Sequence, residues 1–142
     1  MDRERLLQEI KLDEGCRLLA YKDTEGVWTI GWGHTGAGVG PGVVWSQNMA
    51  DRVLDHDIDI AVGTLDSHLP WWRDLDDVRQ NVLADMCFNM GIVRLMTFKN
   101  MLAALEAHNF QTAADQMRLS LWAKQVGDRE VRLERMMRSG QF

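Results

Sequence analysis

One short stretch limits what this chain can fold into. Residues 13–36, DEGCRLLAYKDTEGVWTIGWGHTG, hold five glycines, the turn signal DTEG and the β-branched, aromatic run VWTIGW at 27–32. The run reads as a strand, and the aspartate and glycines read as the turns around it. The segment that follows, TGAGVGPGVV, carries four glycines and a proline and reads as a loop. β structure is thereby confined to a small hairpin or three-stranded sheet near the N-terminus.

The remaining sequence has helical spacing. Asp2 is placed to cap a first helix with Leu6, Leu7 and Ile10 on one face, ending near Glu14–Gly15. Ser46 is placed to cap a long helix running to about Gly63. After SHLPWW, helices are expected near 75–90, 97–107, 110–119 and 129–139, with Gly140 closing the last. The fold class is α+β. The expected organisation is a single domain over 1–142, with a β-rich lobe at about 15–45 and a connecting helix at about 46–63. A helical lobe takes about 64–142 plus the N-terminal helix, and a cleft between two lobes is a common place for a site.

Composition excludes several classes. No run of 18 apolar residues exists, so no membrane insertion is expected, and charges interrupt the N-terminal apolar residues where a secretory signal would need them continuous. The formal net charge of −5 argues against nucleic acid as a partner. Arg129, Arg132, Arg135 and Arg138 alternate with Glu130 and Glu134, which reads as a solvated helix face or as a basic rim for an anionic polymer. Cys16 and Cys87 read as free, largely buried thiols. No histidine or cysteine spacing suits a metal, and no cofactor is expected. The six tryptophans read mostly as core; Trp32 and Trp45, flanking the glycine loop, are the two placed to stack on a ligand.

The chemistry concentrates in the same N-terminal stretch. Glu14 stands at a helix end, where the negative pole of the helix dipole suits a group that must carry a proton. Asp23 lies nine positions on, in a turn, and Thr29 six further, in a strand. Two carboxylates near a cleft divide acid and base work when their surroundings differ, and a threonine hydroxyl is placed to hold a water beside Asp23. Glycoside hydrolysis is the reaction that uses such a pair. Each residue alone is also an ordinary surface choice.

The pattern around them is more specific. Glu14-Gly15, five residues, Tyr21-x-Asp23-x-x-Gly26-x-x-Thr29-Ile30-Gly31-x-Gly33-His34 resembles the phage-type lysozymes of glycoside hydrolase family 24. FNMG at 88–91 resembles the family's central helix. Trp122, Gln125 and Arg129, and RSG at 138–140, resemble its C-terminal part. The resemblance implies Glu14 as general acid, Asp23 as the base that activates water or otherwise stabilises the positive sugar, and Thr29 as an anchor of that water. It places Thr35, Phe88, Met101 and Gln116 at the glycan, although Thr35 and Gln116 differ in type from the family's residues and Met101 replaces a small hydroxyl residue. The loop after His34 is also shorter than in the family's pattern.

The resemblance makes Arg129 the partner of Glu14. His34 reads as structural. On the long helix Met49, Val53 and Ile60 form an apolar stripe that also contains Asp57, and a carboxylate facing the interior needs a partner. His34 is the available one, and the resemblance places it there too.

The function so implied is an endolysin muramidase acting on peptidoglycan glycan strands, a monomer by the simpler expectation. The implied setting is the host cytoplasm until a separate pore protein releases the enzyme to the periplasmic wall. Three alternatives stand beside it: a lytic transglycosylase, a non-catalytic glycan-binding module, and a lysozyme domain used in a virion tail or fusion. Asp23 and Thr29 favour hydrolysis over transglycosylation, which needs no water-activating base. The chain shows no extra domain to support a tail or fusion part.

Overall fold

The computed structural model describes every residue from Met1 to Phe142. Eight α-helices, one short 3-10 helix and one three-stranded antiparallel sheet make an α+β chain, as expected. The chain divides into two compact units, Glu4–Ile60 and Met1–Arg3 with Ala61–Phe142.

The first unit carries the sheet. Helix α1 spans Arg3–Glu14 and stops at Gly15, whose φ of 65° is left-handed and whose N–H donates to the Lys11 carbonyl at 3.0 Å. Strands β1 (Arg17–Lys22), β2 (Trp28–Gly31) and β3 (His34–Thr35) follow in that spatial order. Tyr21 faces Thr29 across β1 and β2, and Thr29 faces Thr35 across β2 and β3. The glycine loop ends beside β1: the Val43 carbonyl accepts from Ala20 N–H at 2.9 Å, and Trp45 N–H donates to the Leu18 carbonyl at 2.8 Å. Leu6, Ile10, Ala20, Ile30, Ala50, Leu54 and Ile58 are buried in this unit.

Helix α2 spans Gln47–His68, and Ser46 Oγ accepts from Met49 N–H at 3.1 Å, as its capping position predicts. The boundary between the units falls within α2. The expected stop at Gly63 is wrong by five residues. A glycine ends a helix by turning left-handed, and Gly63 is not among the residues of positive φ. The expected stripe is also wrong. Met49 and Val53 are half-buried and Ile60 is 52% exposed, whereas the buried face runs through Ala50, Leu54, Ile58, Ala61 and Leu65.

The second unit is helical. A 3-10 helix at Pro70–Asp74 precedes α3 (Asp77–Met90), α4 (Ile92–Leu95), α5 (Lys99–Glu106), α6 (Phe110–Arg118), α7 (Leu121–Val126) and α8 (Asp128–Ser139). The sequence reading missed the 3-10 helix, α4 and α7, all too short to show a helical period. Asp76, Asn109 and Ser120 cap α3, α6 and α7 by accepting from the N–H three residues on. Gly140 turns left-handed and closes α8 as expected.

The core of this unit gathers Trp72, Trp122, Met86, Met101, Met117, Met136 and Met137. The other four tryptophans are half-buried, so the expectation of mostly core tryptophans is corrected. Trp72 shows how a buried indole is satisfied: its N–H donates to Asp66 at 2.7 Å, and Arg73 donates to the same carboxylate at 2.8 Å. These two bonds, Arg73 first, hold the Asp66 carboxyl below its ordinary range.

The charged segment 129–138 is not a solvated face. Arg129 and Glu130 are buried. Arg129 Nε lies 3.3 Å and Arg132 Nη2 3.2 Å from the two oxygens of Asp85, which is 0% exposed on α3. Arg138 pairs with Asp115 at 2.5 Å and Glu134 at 2.7 Å. Burial, and then the neighbouring Glu134, pushes the Glu130 carboxyl up.

Candidate active site

Three of the residues expected to react lie in the sheet-bearing unit. Glu14 closes α1, half-buried, and its carboxylate rests on the turn that joins β2 to β3. A Cβ built on Gly33 would stand 2.4 Å from Glu14 Oε2, and Gly33 has a φ of 80°. Only glycine allows both that backbone and that approach. The sequence reading gave Gly33 no role, although a glycine directly before His34 in a strand-turn-strand segment is the available signal. We expect Gly33→Ala to cost roughly 1–2 kcal/mol of stability. It should also lower turnover by about 10²-fold through displacement of the carboxylate. Full turnover at a temperature where the variant is folded would show that this contact does not position Glu14.

Asp23 sits in the turn between β1 and β2. Its Oδ1 accepts from the N–H groups of Glu25 at 2.9 Å and Val27 at 2.8 Å, which fixes the carboxylate's direction. Its backbone N–H donates to the Val27 carbonyl at 2.9 Å and closes the turn. Thr29 is buried on β2, and its hydroxyl donates to the Val27 carbonyl at 3.0 Å. That bond uses the hydroxyl proton and leaves oxygen lone pairs to accept. Asp23 is thus anchored just before β2 and Glu14 just after it. The four residues of β2 span about 13 Å of extended chain.

His34 and Asp57 meet as expected, with Nδ1 2.7 Å from Oδ2. The stripe used to predict the pair does not exist in the form supposed; Asp57 is half-buried beside the core face of α2. The His34 ring also lies 5.5 Å from the Trp45 ring, and Trp45 packs on Gly31, where a Cβ would come within 3.0 Å. Thr35 is exposed at the end of β3. Trp32 donates its N–H to Asp51 at 2.8 Å, and this bond, followed by one from Gln47, lowers the Asp51 carboxyl.

The other expected residues lie in the helical unit. Met101 and Gln116 are brought together in the wall of one pocket of about 600 Å³. Phe98 and Trp122 add apolar surface to it, and Asn100 adds an amide. Met101 is 1% exposed, so it contributes packing. Phe88 is half-buried on α3 and is not part of this wall. Trp122 donates its N–H to Asn89 at 2.8 Å, next to Phe88. Arg129 is paired with Asp85, which the sequence reading missed. The signal was available: a carboxylate in the apolar run VLADMC needs a partner, and Arg129 and Arg132 are three apart on one helix face.

The phage lysozyme family model matches residues 11–138. The chain belongs to the phage lysozyme family. It is 30% identical to the endolysin of Salmonella phage P22 over 93% of this chain and 90% of that one. It is 27% identical to probable T4-type lysozyme 1 of Dictyostelium discoideum, with 92% of each chain covered. It is 29% identical to the pre-baseplate central spike protein Gp5 of Enterobacteria phage T4 over 95% of this chain, which is 28% of that protein's length. For this phage lysozyme, membership carries a coarse assignment, a glycosidase of the lysozyme type directed at the cell wall. No helix is long and apolar enough to cross a membrane.

Proposed function

We propose that the chain is a muramidase that hydrolyses the β-1,4 bond between N-acetylmuramic acid and N-acetylglucosamine in peptidoglycan, inverting the anomeric carbon. The observation that carries this reading is that two carboxylates are anchored at opposite ends of β2, with a threonine between the anchors. Glu14 rests on Gly33 after the strand, Asp23 is anchored on Val27 before it, and Thr29 lies within it. A retaining enzyme needs its carboxyls about 5–5.5 Å apart, and an inverting one leaves about 6.5–9.5 Å for a water. Anchors at opposite ends of one strand, with the Thr29 hydroxyl between them to hold a water, support the wider class.

The step balances as follows. Glu14 gives its proton to the leaving O4 as the bond from C1 to that oxygen breaks. A water held by Asp23 and the Thr29 oxygen attacks C1 from the opposite face, and Asp23 takes the water's proton. The first product is an α-configured reducing sugar. Thr35, Phe88 and Gln116 would contact the glycan, with Met101 packed in the same pocket wall as Gln116. Arg129, His34 and Asp57 would support the site through packing and charge.

The setting proposed is lysis of a bacterial host by an endolysin, supported by likeness to an endolysin of nearly equal length. Likeness to a spike protein many times longer supports a second setting, a lysozyme domain carried on a tail protein. The chemistry is tested by digesting purified peptidoglycan and identifying the new glycan ends. Hydrolysis gives reducing N-acetylmuramic acid; anhydro ends would assign a transglycosylase, and no cleavage would leave a binding module.

A further inference from the structure

The turn on which Glu14 rests is fastened to two helices by a network that the hydrolytic step does not use. Trp32 stands in that turn, between Gly31 at a φ of 64° and Gly33 at 80°. Its indole N–H donates to Asp51 Oδ1 on α2 at 2.8 Å. The same oxygen accepts from the Gln47 amide, one helical turn earlier, at 3.0 Å. Gln47 also reaches Cys16 Sγ, just past Glu14 in the chain, at 3.7 Å. The ammonium of Lys11, in the last turn of α1, lies 5.2 Å from the centre of the Trp32 ring. All of these residues belong to the sheet-bearing unit. Trp32 is the point at which the end of α1, the β2–β3 turn and α2 are joined.

Glycines on both sides make the backbone of this turn permissive, so the Trp32 side chain supplies its fixed point. A hydrogen bond to an ionised carboxylate is about twice as strong as one between neutral groups, which suits a fastening. The sequence placed Trp32 to stack on a ligand. In the fold its N–H is turned to α2 and its ring carries Lys11.

We propose that the Trp32–Asp51 bond positions the Glu14 carboxylate by holding the Gly31–Gly33 turn against α2. The inference rests on the reading of Glu14 as the general acid. Neither Trp32 nor Asp51 has to touch the acid or the glycan. Gly33, which the Glu14 carboxylate meets, is the chain neighbour of Trp32. A turn released from α2 carries Gly33 with it, and the acid loses the floor that aims its proton at the leaving oxygen. Misplacing a reacting group by about 1 Å costs on the order of 10²-fold in rate, and loosening its support costs less. Such a loss falls on kcat and spares KM.

Trp32→Phe keeps the ring under Lys11 and removes the N–H; Asp51→Ala removes the acceptor. Each should lower kcat on soluble glycan roughly tenfold at a temperature where the variant is folded, with KM within about twofold of wild type. The two losses should not add, because both break one bond. Asp51→Asn supplies one oxygen where Oδ1 takes both bonds, and should restore most of the rate lost in Asp51→Ala. A bond that serves only the fold would lower the unfolding temperature and leave kcat unchanged, which would overturn the proposal. A raised KM at unchanged kcat would make Trp32 a glycan contact and overturn it too. In a Glu14→Gln background the residual rate should not respond to Trp32→Phe, since no acid remains to be aimed. A further tenfold loss there would assign Trp32 to another group and overturn the positioning of Glu14. If Glu14→Gln alone keeps more than a tenth of the wild-type rate, the acid falls and the positioning with it. If Glu14→Gln is inactive while Trp32→Phe keeps full kcat, the positioning falls alone.

Discussion

Glu14→Gln should abolish nearly all cell-wall cleavage while the fold persists. The glutamine keeps the shape that rests on Gly33 but has no proton to give to the leaving oxygen. General acid assistance is worth about 10²–10⁴-fold in rate. The substituted side chain has the same size at a half-buried helix end, so the unfolding transition should stay close to the wild type. The measurement is turbidity clearance of outer-membrane-permeabilised cells together with thermal unfolding. More than a tenth of the wild-type rate in a folded variant would remove Glu14 from the acid's role.

The second large effect concerns stability. Asp85 is fully buried between Arg129 and Arg132, and Arg129 is itself buried. Removing the carboxylate takes away a counter-charge that two guanidinium groups share beside an apolar core. Breaking a buried pair in this way costs about 3–5 kcal/mol. Asp85→Ala should therefore shift the urea midpoint strongly, and Asp85→Asn, which keeps the acceptor oxygen, should shift it less. A loss under about 1 kcal/mol for the alanine variant would mean that solvent reaches the arginines on unpairing. The local sequence around Asp85 shows only that a carboxylate in an apolar run needs a partner; the partners themselves come from a helix more than forty positions away.

That contrast explains which parts of the structure were legible in the sequence. The features read correctly have local causes. Gly15 and Gly140 end helices by left-handed turns, Ser46 caps α2, and DTEG closes the first hairpin turn. The features misread depend on what an element packs against. Gly63 sits inside a helix because nothing forces it left-handed. The α2 core face is set by Ala50 and Leu54, not by the larger Met49 and Ile60. The 129–138 charges are paired inward because Asp85, Asp115 and Glu134 are there to meet them.

The candidate site divides in the same way. Glu14, Asp23 and Thr29 stand in the local structures expected of them, a helix end, a turn and a strand; their roles rest on the family resemblance. The His34–Asp57 contact was found from a helix stripe that the structure does not contain, so the pair is present but the derivation was faulty. The approach of Gly33 to Glu14 shows in the sequence only as a glycine before His34; which side chain it meets is decided by the fold.

The most direct test of the central claim is proton NMR of an oligosaccharide substrate in the first minutes of cleavage, before the anomers equilibrate. The proposed mechanism, in which a water held by Asp23 and Thr29 attacks opposite Glu14, predicts an α-configured new reducing end. A β-configured end, or a sugar trapped covalently on Asp23, would make that carboxylate a nucleophile and contradict the account.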